Sequence, residues 1–128
     1  MRLFVMIFLA GLLLAAPAAV WAGAENPLAG SSVAKLTQAI DYSGKGFAKK
    51  PIFKGENYVI ILFAFQKGQE LKAHTIAIDA FVQVLEGTAV VAIDGKEYEV
   101  SAGEKISLPK KLSHALTAKE NFKMLLVK

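Results

Sequence analysis

The stretch that decides the fold runs from Gly68-Gln-Glu-Leu-Lys-Ala-His74-Thr-Ile76 to Gly103-Glu-Lys-Ile-Ser-Leu-Pro109-Lys-Lys-Leu-Ser-His114. Both histidines of the chain lie in it, His74 six residues and His114 eleven residues after a turn glycine. Between them, apolar and polar residues alternate as they do in half-buried β-strands. The histidines are forty residues apart in the sequence, so they meet only if the sheet folds back on itself. A small closed barrel of strands has that geometry.

The chain from residue 46 onward has the pattern of eight or nine short strands separated by turn signals. Tyr58-Val-Ile-Ile-Leu-Phe-Ala-Phe65 is a continuous β-branched and aromatic run, which predicts a strand buried on both faces. Pro51 places the segment 46–53 at a sheet edge, and Asp94-Gly95 predicts a two-residue hairpin. Residues 71–78 predict a strand that carries His74. The pattern indicates an all-β fold, an antiparallel sandwich or barrel, without a convincing helix.

The amino terminus predicts export. Met1-Arg2 precedes an unbroken apolar run over residues 3–14, and small residues follow Pro17. This is the layout of a secretory signal peptide, with cleavage after Ala22 or Ala24. The alternative is an uncleaved anchor, since the apolar stretch is almost long enough to span a bilayer.

These features divide the chain into a signal peptide, 1–22, a linker or N-terminal arm, 23–45, and a barrel domain, 46–128. We expect a periplasmic or secreted protein that contacts a membrane only through the signal segment, if that segment is not cleaved.

The composition narrows the possible partners. The chain has no cysteine, so it forms no disulfide and has no thiol chemistry. Arg2 is its only arginine, the lysines are scattered, and the net charge is a modest +4. Arginine is the residue best suited to phosphates and guanine edges. We therefore expect a small-molecule ligand and no nucleic-acid partner.

His74 and His114 are the candidate site residues. From the residues alone, each is either a lone hydrogen-bonded histidine or half of a shared metal or acid–base site. If His74 faces inward, Ile76 shares its face, which indicates an apolar pocket with few polar groups. Asp79 and Gln83 are further candidate metal ligands, although both are out of phase with the inward residues unless a bulge re-aims them. No partner for a histidine general base can be named, so the catalytic residues are unknown.

The spacing of these residues resembles the two cupin motifs, G-x5-H-x-H-x3,4-E-x6-G and G-x5-P-x-G-x2-H-x3-N. The matching residues are Gly68, His74 and Gly87 in the first motif and Gly103, Pro109 and His114 in the second. The resemblance covers roughly residues 55–127. It implies a cupin-type double-stranded β-helix, which is a jelly-roll barrel. The resemblance implies a barrel that is often dimeric. We also expect a homodimer because long apolar strands such as 58–65 often pair across dimer interfaces in small barrels.

The resemblance also implies a metal site, which cupins build from three histidines and a glutamate. Here Ile76 stands at the second histidine position and Ala80 at the glutamate position. His74 and His114 remain as the two matching ligands, and Asp79 or Gln83 would have to complete the set. The second motif departs from the pattern as well, with Lys111 for its glycine and Ala118 for its asparagine. A divalent transition metal is possible, but two neutral imidazoles do little to offset the desolvation of such an ion.

Two main functions remain open. The first is an exported module that binds a small organic ligand against Ile76, Ala80 and Val82, with His74 and His114 at the pocket mouth. Val84, Phe63 and Met124 would extend its lining. The second is a metal-dependent enzyme, an oxygenase, isomerase or lyase that acts on a small organic acid or sugar. A structural or interaction role with a vestigial pocket is a third alternative.

Overall fold

The computed structural model describes residues 33–128, which form nine β-strands and one short 3-10 helix, Leu36–Gln38. The strands are β1 (Ala48–Lys54), β2 (Val59–Phe65), β3 (Glu70–His74), β4 (Ala80–Glu86), β5 (Thr88–Ile93), β6 (Lys96–Ser101), β7 (Lys105–Leu108), β8 (His114–Ala118) and β9 (Phe122–Val127). The predicted signal peptide, its predicted cleavage sites and the predicted arm up to residue 32 lie outside the described residues. Within residues 33–128, no helix is long and apolar enough to cross a membrane.

The strands form two antiparallel sheets. One has the order β1-β2-β9-β4-β7 and the other the order β3-β8-β5-β6. The sheets pack face to face around an apolar core. The predicted all-β jelly-roll class is confirmed, and β1, which contains Pro51, lies at a sheet edge as predicted.

Strand β2 is buried on both faces because its residues are apolar at every position. Ile61, Phe63 and Phe65 enter the core between the sheets, whereas Leu62 and Ala64 face outward. None of these five residues is more than 6% exposed. The predicted burial of this strand on both faces is confirmed.

Residues 36–42 cover the outer face of the five-stranded sheet. Ile40 packs there against Ile52 of β1. Lys123 of β9 is only 8% exposed. Its ammonium group donates a hydrogen bond to the Thr37 carbonyl and lies 4.8 Å from the centre of the Tyr42 ring. Part of the segment predicted as a linker or arm is therefore held against the sheet.

Two turns show why glycine is required at particular positions. Asp94 and Gly95 join β5 to β6 with φ angles of 49° and 81°, the left-handed pair of a type I′ hairpin. The predicted hairpin is confirmed. Gly87 joins β4 to β5 with φ 73°. A Cβ atom at Gly87 would collide with the carbonyl oxygen of Asn121, so only glycine fits there.

Strand β3 ends at His74, so the prediction of a strand as far as residue 78 is wrong. The backbone N–H of Lys111 donates to the Ile76 carbonyl at 2.8 Å. The backbone N–H of Lys110 donates to Asp79 Oδ1 at 2.9 Å. These bonds hold residues 75–79 against the turn after β7, in place of pairing with a neighbouring strand.

Candidate functional site

A cavity of about 180 Å³ lies between the two sheets, bounded mainly by β1, β2 and β9 on one side and by β3 and β8 on the other. Its apolar lining consists of Phe47, Ile61, Phe63, Leu71, Ile76, Leu108, Leu116, Met124 and Leu126. Its polar lining consists of Lys49, His74, His114 and Lys128. A concave apolar surface with a few polar groups is the usual form of a small-molecule site.

Strands β3 and β8 place the two histidines side by side. His74 is the last residue of β3 and pairs directly with His114, the first residue of β8. Their ring centres are 4.4 Å apart, and the ring planes meet at 63° in an edge-to-face arrangement. His114 is 3% exposed, whereas His74 is exposed. The fold thus brings together the two histidines from the two halves of the motif-bearing stretch.

Backbone carbonyls fix the tautomer of both rings. His74 Nδ1 lies 2.9 Å from the Lys72 carbonyl oxygen, and His114 Nδ1 lies 3.4 Å from that of Leu112. Since a carbonyl only accepts, we assign the N–H to Nδ1 in each ring, which leaves Nε2 with a lone pair.

Burial lowers the pKa of His114 below its ordinary value of 6.5, and the charge of the adjacent His74 lowers it further. The hydrogen bond to Leu112 acts in the opposite direction. Desolvation penalises the charged form of the ring. His114 is therefore held toward its neutral form.

The other predicted ligand-binding residues divide between the cavity and the packed core. Ile76 lines the cavity beside the histidines. Ala80 and Val82, predicted to line the pocket, are instead packed into the core, 5% and 0% exposed, and do not contact the cavity. Val84 is packed in the same way. Leu108 of β7, which lies beyond β4 in the same sheet, does line the cavity, so inward-facing residues of neighbouring strands differ in whether they border the open space.

The structure does not bring Asp79 and Gln83 to the histidines. Asp79 Oδ1 accepts the hydrogen bond from the Lys110 backbone. Gln83 alternates with the inward-facing Val82 along β4, and so its side chain lies on the outer face. Neither residue is in the lining of the cavity.

The residues at the two histidines do not fit the metal that the cupin motifs imply. Residues 33–128 contain no group of three or more His, Cys, Asp or Glu side chains placed to hold a metal ion. Ile76 and Ala80 supply no donor atom at the two substituted positions. Two imidazoles fall short of the three protein ligands of a typical catalytic site.

The sequence pattern missed Lys49 of β1 and Phe47, the residue before that strand, both of which line the cavity. Their spacing of two residues gives them one shared strand face, and this was the available signal. Pro51 and the nearby glycines made the strand pattern of this segment weak. Phe63 and Met124 were predicted for the lining and do line the cavity.

Comparison with known protein families agrees with this architecture. The model of the cupin domain family matches residues 61–128, which is more than half of the chain and includes both histidines. The chain belongs to the cupin family. Comparison of this cupin with curated proteins finds no match.

Solved structures share the fold of this cupin. A conserved protein of unknown function from Streptococcus pyogenes is 34% identical with a TM-score of 0.72, over 79% of this chain and 89% of that one. A cupin 2 conserved barrel domain protein from Leptotrichia buccalis is 35% identical with a TM-score of 0.67, over 71% of this chain and 44% of that one. KdgF from a Halomonas species is 19% identical with a TM-score of 0.62, over 70% of this chain and 86% of that one. At that identity, the likeness to KdgF concerns the fold alone.

Proposed function

We propose that this cupin binds a small organic ligand in the cavity between its sheets, with His74 and His114 orienting the ligand. One observation carries the proposal: the adjacent histidines share an otherwise mostly apolar cavity of about 180 Å³. A dry apolar cavity of about 150 Å³ accommodates benzene. The ligand is therefore about the size of one six-membered ring with a polar substituent.

The walls favour a ligand with an apolar body. Phe47 and Phe63 line the cavity, with ring centres 5.9 Å apart and ring planes tilted by 45°. Phe47 stacks on Phe65 at 4.9 Å, and Phe65 stacks on Phe122 at 4.7 Å. Such a stack is a rigid wall, so the cavity needs little reorganisation when a ligand enters.

The alternative function, a metal-dependent oxygenase, isomerase or lyase, has less support. Carbonyl bonds at Nδ1 do orient Nε2 as in metal-ligating histidines. Within residues 33–128, the donor set nevertheless ends at His74 and His114, without a third protein ligand beside them. Elemental analysis of the purified protein after incubation with divalent metals checks this point. We expect far less than one equivalent, and a stoichiometric metal lost in both His74→Ala and His114→Ala would restore the alternative.

We also propose that the protein works outside the cytoplasm, on the basis of the signal-peptide pattern in residues 1–22. Amino-terminal sequencing of the protein from fractionated cells tests it. The expected mature terminus is Gly23 or Glu25, and a protein that retains Met1 in the cytoplasmic fraction would refute export.

The homodimer remains a prediction, and β2 is not free to form its interface. That strand pairs with β1 and β9 at its two edges, and residues 36–42 cover its outer face. A dimer would have to use another surface. Light scattering coupled to size exclusion gives the mass in solution, and a monomer across the accessible concentrations would refute the prediction.

Binding is tested with a panel of ring-sized compounds that differ in charge: toluene, benzamide, benzoate and benzylamine. Ligand-observed NMR detects weak binding to the wild type. Leu71→Trp places a larger side chain at the cavity wall and is the blocking variant, whereas Ile78→Trp alters a residue that is 51% exposed and outside the lining. We expect at least one compound to bind the wild type and Ile78→Trp but not Leu71→Trp. The proposal fails if no compound binds, or if binding survives unchanged in Leu71→Trp.

A further inference from the structure

The ionisable side chains that line the cavity are all basic. Its lining includes two lysines, Lys49 and Lys128, and the two histidines, and it includes no aspartate or glutamate. Carboxylates do occur on the surface of the barrel, but the ion pairs of residues 33–128 are Lys119–Glu99 and Lys123–Glu86, away from the cavity. Within the described chain, Lys49 therefore has no acidic partner.

Lys49 is held at the cavity by its strand. Its backbone pairs with that of Phe63 in the sheet, and its Nζ lies 5.9 Å from the centre of the Phe63 ring. Lys49 is exposed, so its ammonium keeps water contacts while its stem borders the apolar wall. A ligand in the cavity would meet this charge at the solvent-facing end.

The two histidines add a contribution to anion binding that depends on their protonation. Each Nδ1 faces a backbone carbonyl, so each Nε2 accepts in the neutral ring and donates once the ring is protonated. A bound anion stabilises the protonated form and gains a charge-assisted hydrogen bond from it. An anionic ligand would therefore bind together with uptake of a proton.

We infer that the cavity selects small organic monocarboxylates with a ring-sized apolar body, the carboxylate meeting Lys49 and the histidine pair. The inference rests on the proposed function and names the ligand class of that site. An amine of the same shape would meet only positive or neutral groups. A neutral amide would fill the same apolar space without the charge-assisted contacts.

Isothermal titration calorimetry of the whole protein, as purified, with benzoate, benzamide and benzylamine tests the inference. We expect benzoate to bind at least about tenfold more tightly than benzamide, and benzylamine to bind most weakly. Titration of benzoate in buffers of different ionisation enthalpy should show net proton uptake near neutral pH.

A matched pair of variants locates the charge. Lys49→Gln should weaken benzoate about two- to fivefold, since the lysine is exposed to solvent, and should leave benzamide unchanged. Lys54→Gln lies on the same strand but outside the lining, and it should change neither affinity.

The outcomes separate the two proposals. Benzamide or benzylamine binding as tightly as benzoate would overturn the choice of ligand class while leaving the cavity as a binding site. Equal weakening of benzoate by Lys49→Gln and Lys54→Gln would also overturn it. Failure of every compound to bind would overturn the proposed function itself.

Discussion

The two halves of the barrel interior differ in how they are packed. In the filled half, around β4 and β5, Val82, Val84, Ala89 and Val91 are all 0% exposed. In the cavity half, between β1, β2 and β9 and the facing β3 and β8, larger side chains leave about 180 Å³ open. Both halves are built from apolar strands, so burial alone does not mark a site. The site lies where open space and the paired histidines coincide.

The largest expected effect on stability concerns Gly87, which connects β4 to β5 in the filled half. Gly87→Ala should cost more than about 3 kcal/mol of unfolding free energy or prevent folding, because it adds a collision with Asn121 to a left-handed backbone. Gly103→Ala is the control, since Gly103 has φ 85° but open space around it. It should cost only about 1–2 kcal/mol. Urea unfolding measures both, and equal costs would show that the close approach does not matter.

Enlarging side chains in the two halves tests the comparison itself. Val84→Phe should destabilise the protein by about 1–3 kcal/mol, because the filled half has no space for the added atoms. Leu71→Trp should cost less than about 1 kcal/mol, because the cavity takes up the added volume. Thermal and urea unfolding provide the measurement. A larger cost for Leu71→Trp would mean that the cavity is not open space in the folded protein.

A smaller effect is expected in the turn that holds residues 75–79 beside the cavity. Lys111 stands where the second cupin motif has glycine, and its φ is 64°. Lys111→Gly should therefore stabilise the protein by roughly 0.5–1 kcal/mol, as it relieves the left-handed strain of a residue with a Cβ. Lys110→Gly, one residue earlier and without a positive φ, should destabilise by a similar amount. Stabilisation by both variants would argue against strain at Lys111.

The smallest effect concerns pH and the buried histidine. The folded-state pKa of His114 is lowered below 6.5, so the unfolded chain takes up this proton first as the pH falls. The unfolding free energy should therefore decrease as the pH drops below about 7. The contribution of His114 to this decrease ends once the pH is below the pKa of His114 in the folded protein. His114→Gln should lose this dependence, while His74, Lys49 and Lys128 remain in the cavity. An unchanged pH profile in the variant would contradict the lowered pKa.

Strand pattern and turn chemistry were enough to predict an antiparallel all-β sandwich or barrel, and the resemblance to the cupin motifs implied the jelly-roll form. The apolar run from Tyr58 to Phe65 and the Asp94-Gly95 hairpin are local features, and the motif glycines fix where strands end. The length of β3 could not be predicted from the local sequence. Its end depends on a hydrogen bond between Ile76 and Lys111, two residues that meet only in the folded barrel.

The site was harder to predict than the fold. The motif spacing pointed to His74 and His114, and Ile76 followed from strand parity. Parity also suggested Ala80 and Val82, but it only says that a residue faces inward and not which half of the interior it faces. That choice depends on how the side chains pack in the folded barrel, where Ala80 and Val82 join the packed core and Leu108 of the adjacent β7 borders the cavity. Lys49 was missed because its strand has a weak pattern.

The most direct test maps ligand contacts onto the two halves by methyl NMR, using the tightest-binding compound of the toluene, benzamide, benzoate and benzylamine panel. Leu116 and Met124 line the cavity, whereas Val84 and Val91 belong to the filled half. We predict that the methyl signals of Leu116 and Met124 and the ring signals of His74 and His114 shift on titration, while those of Val84 and Val91 stay in place. Shifts confined to the filled half or to surface methyl groups, with both histidine rings unaffected, would contradict a ligand site at the histidine pair.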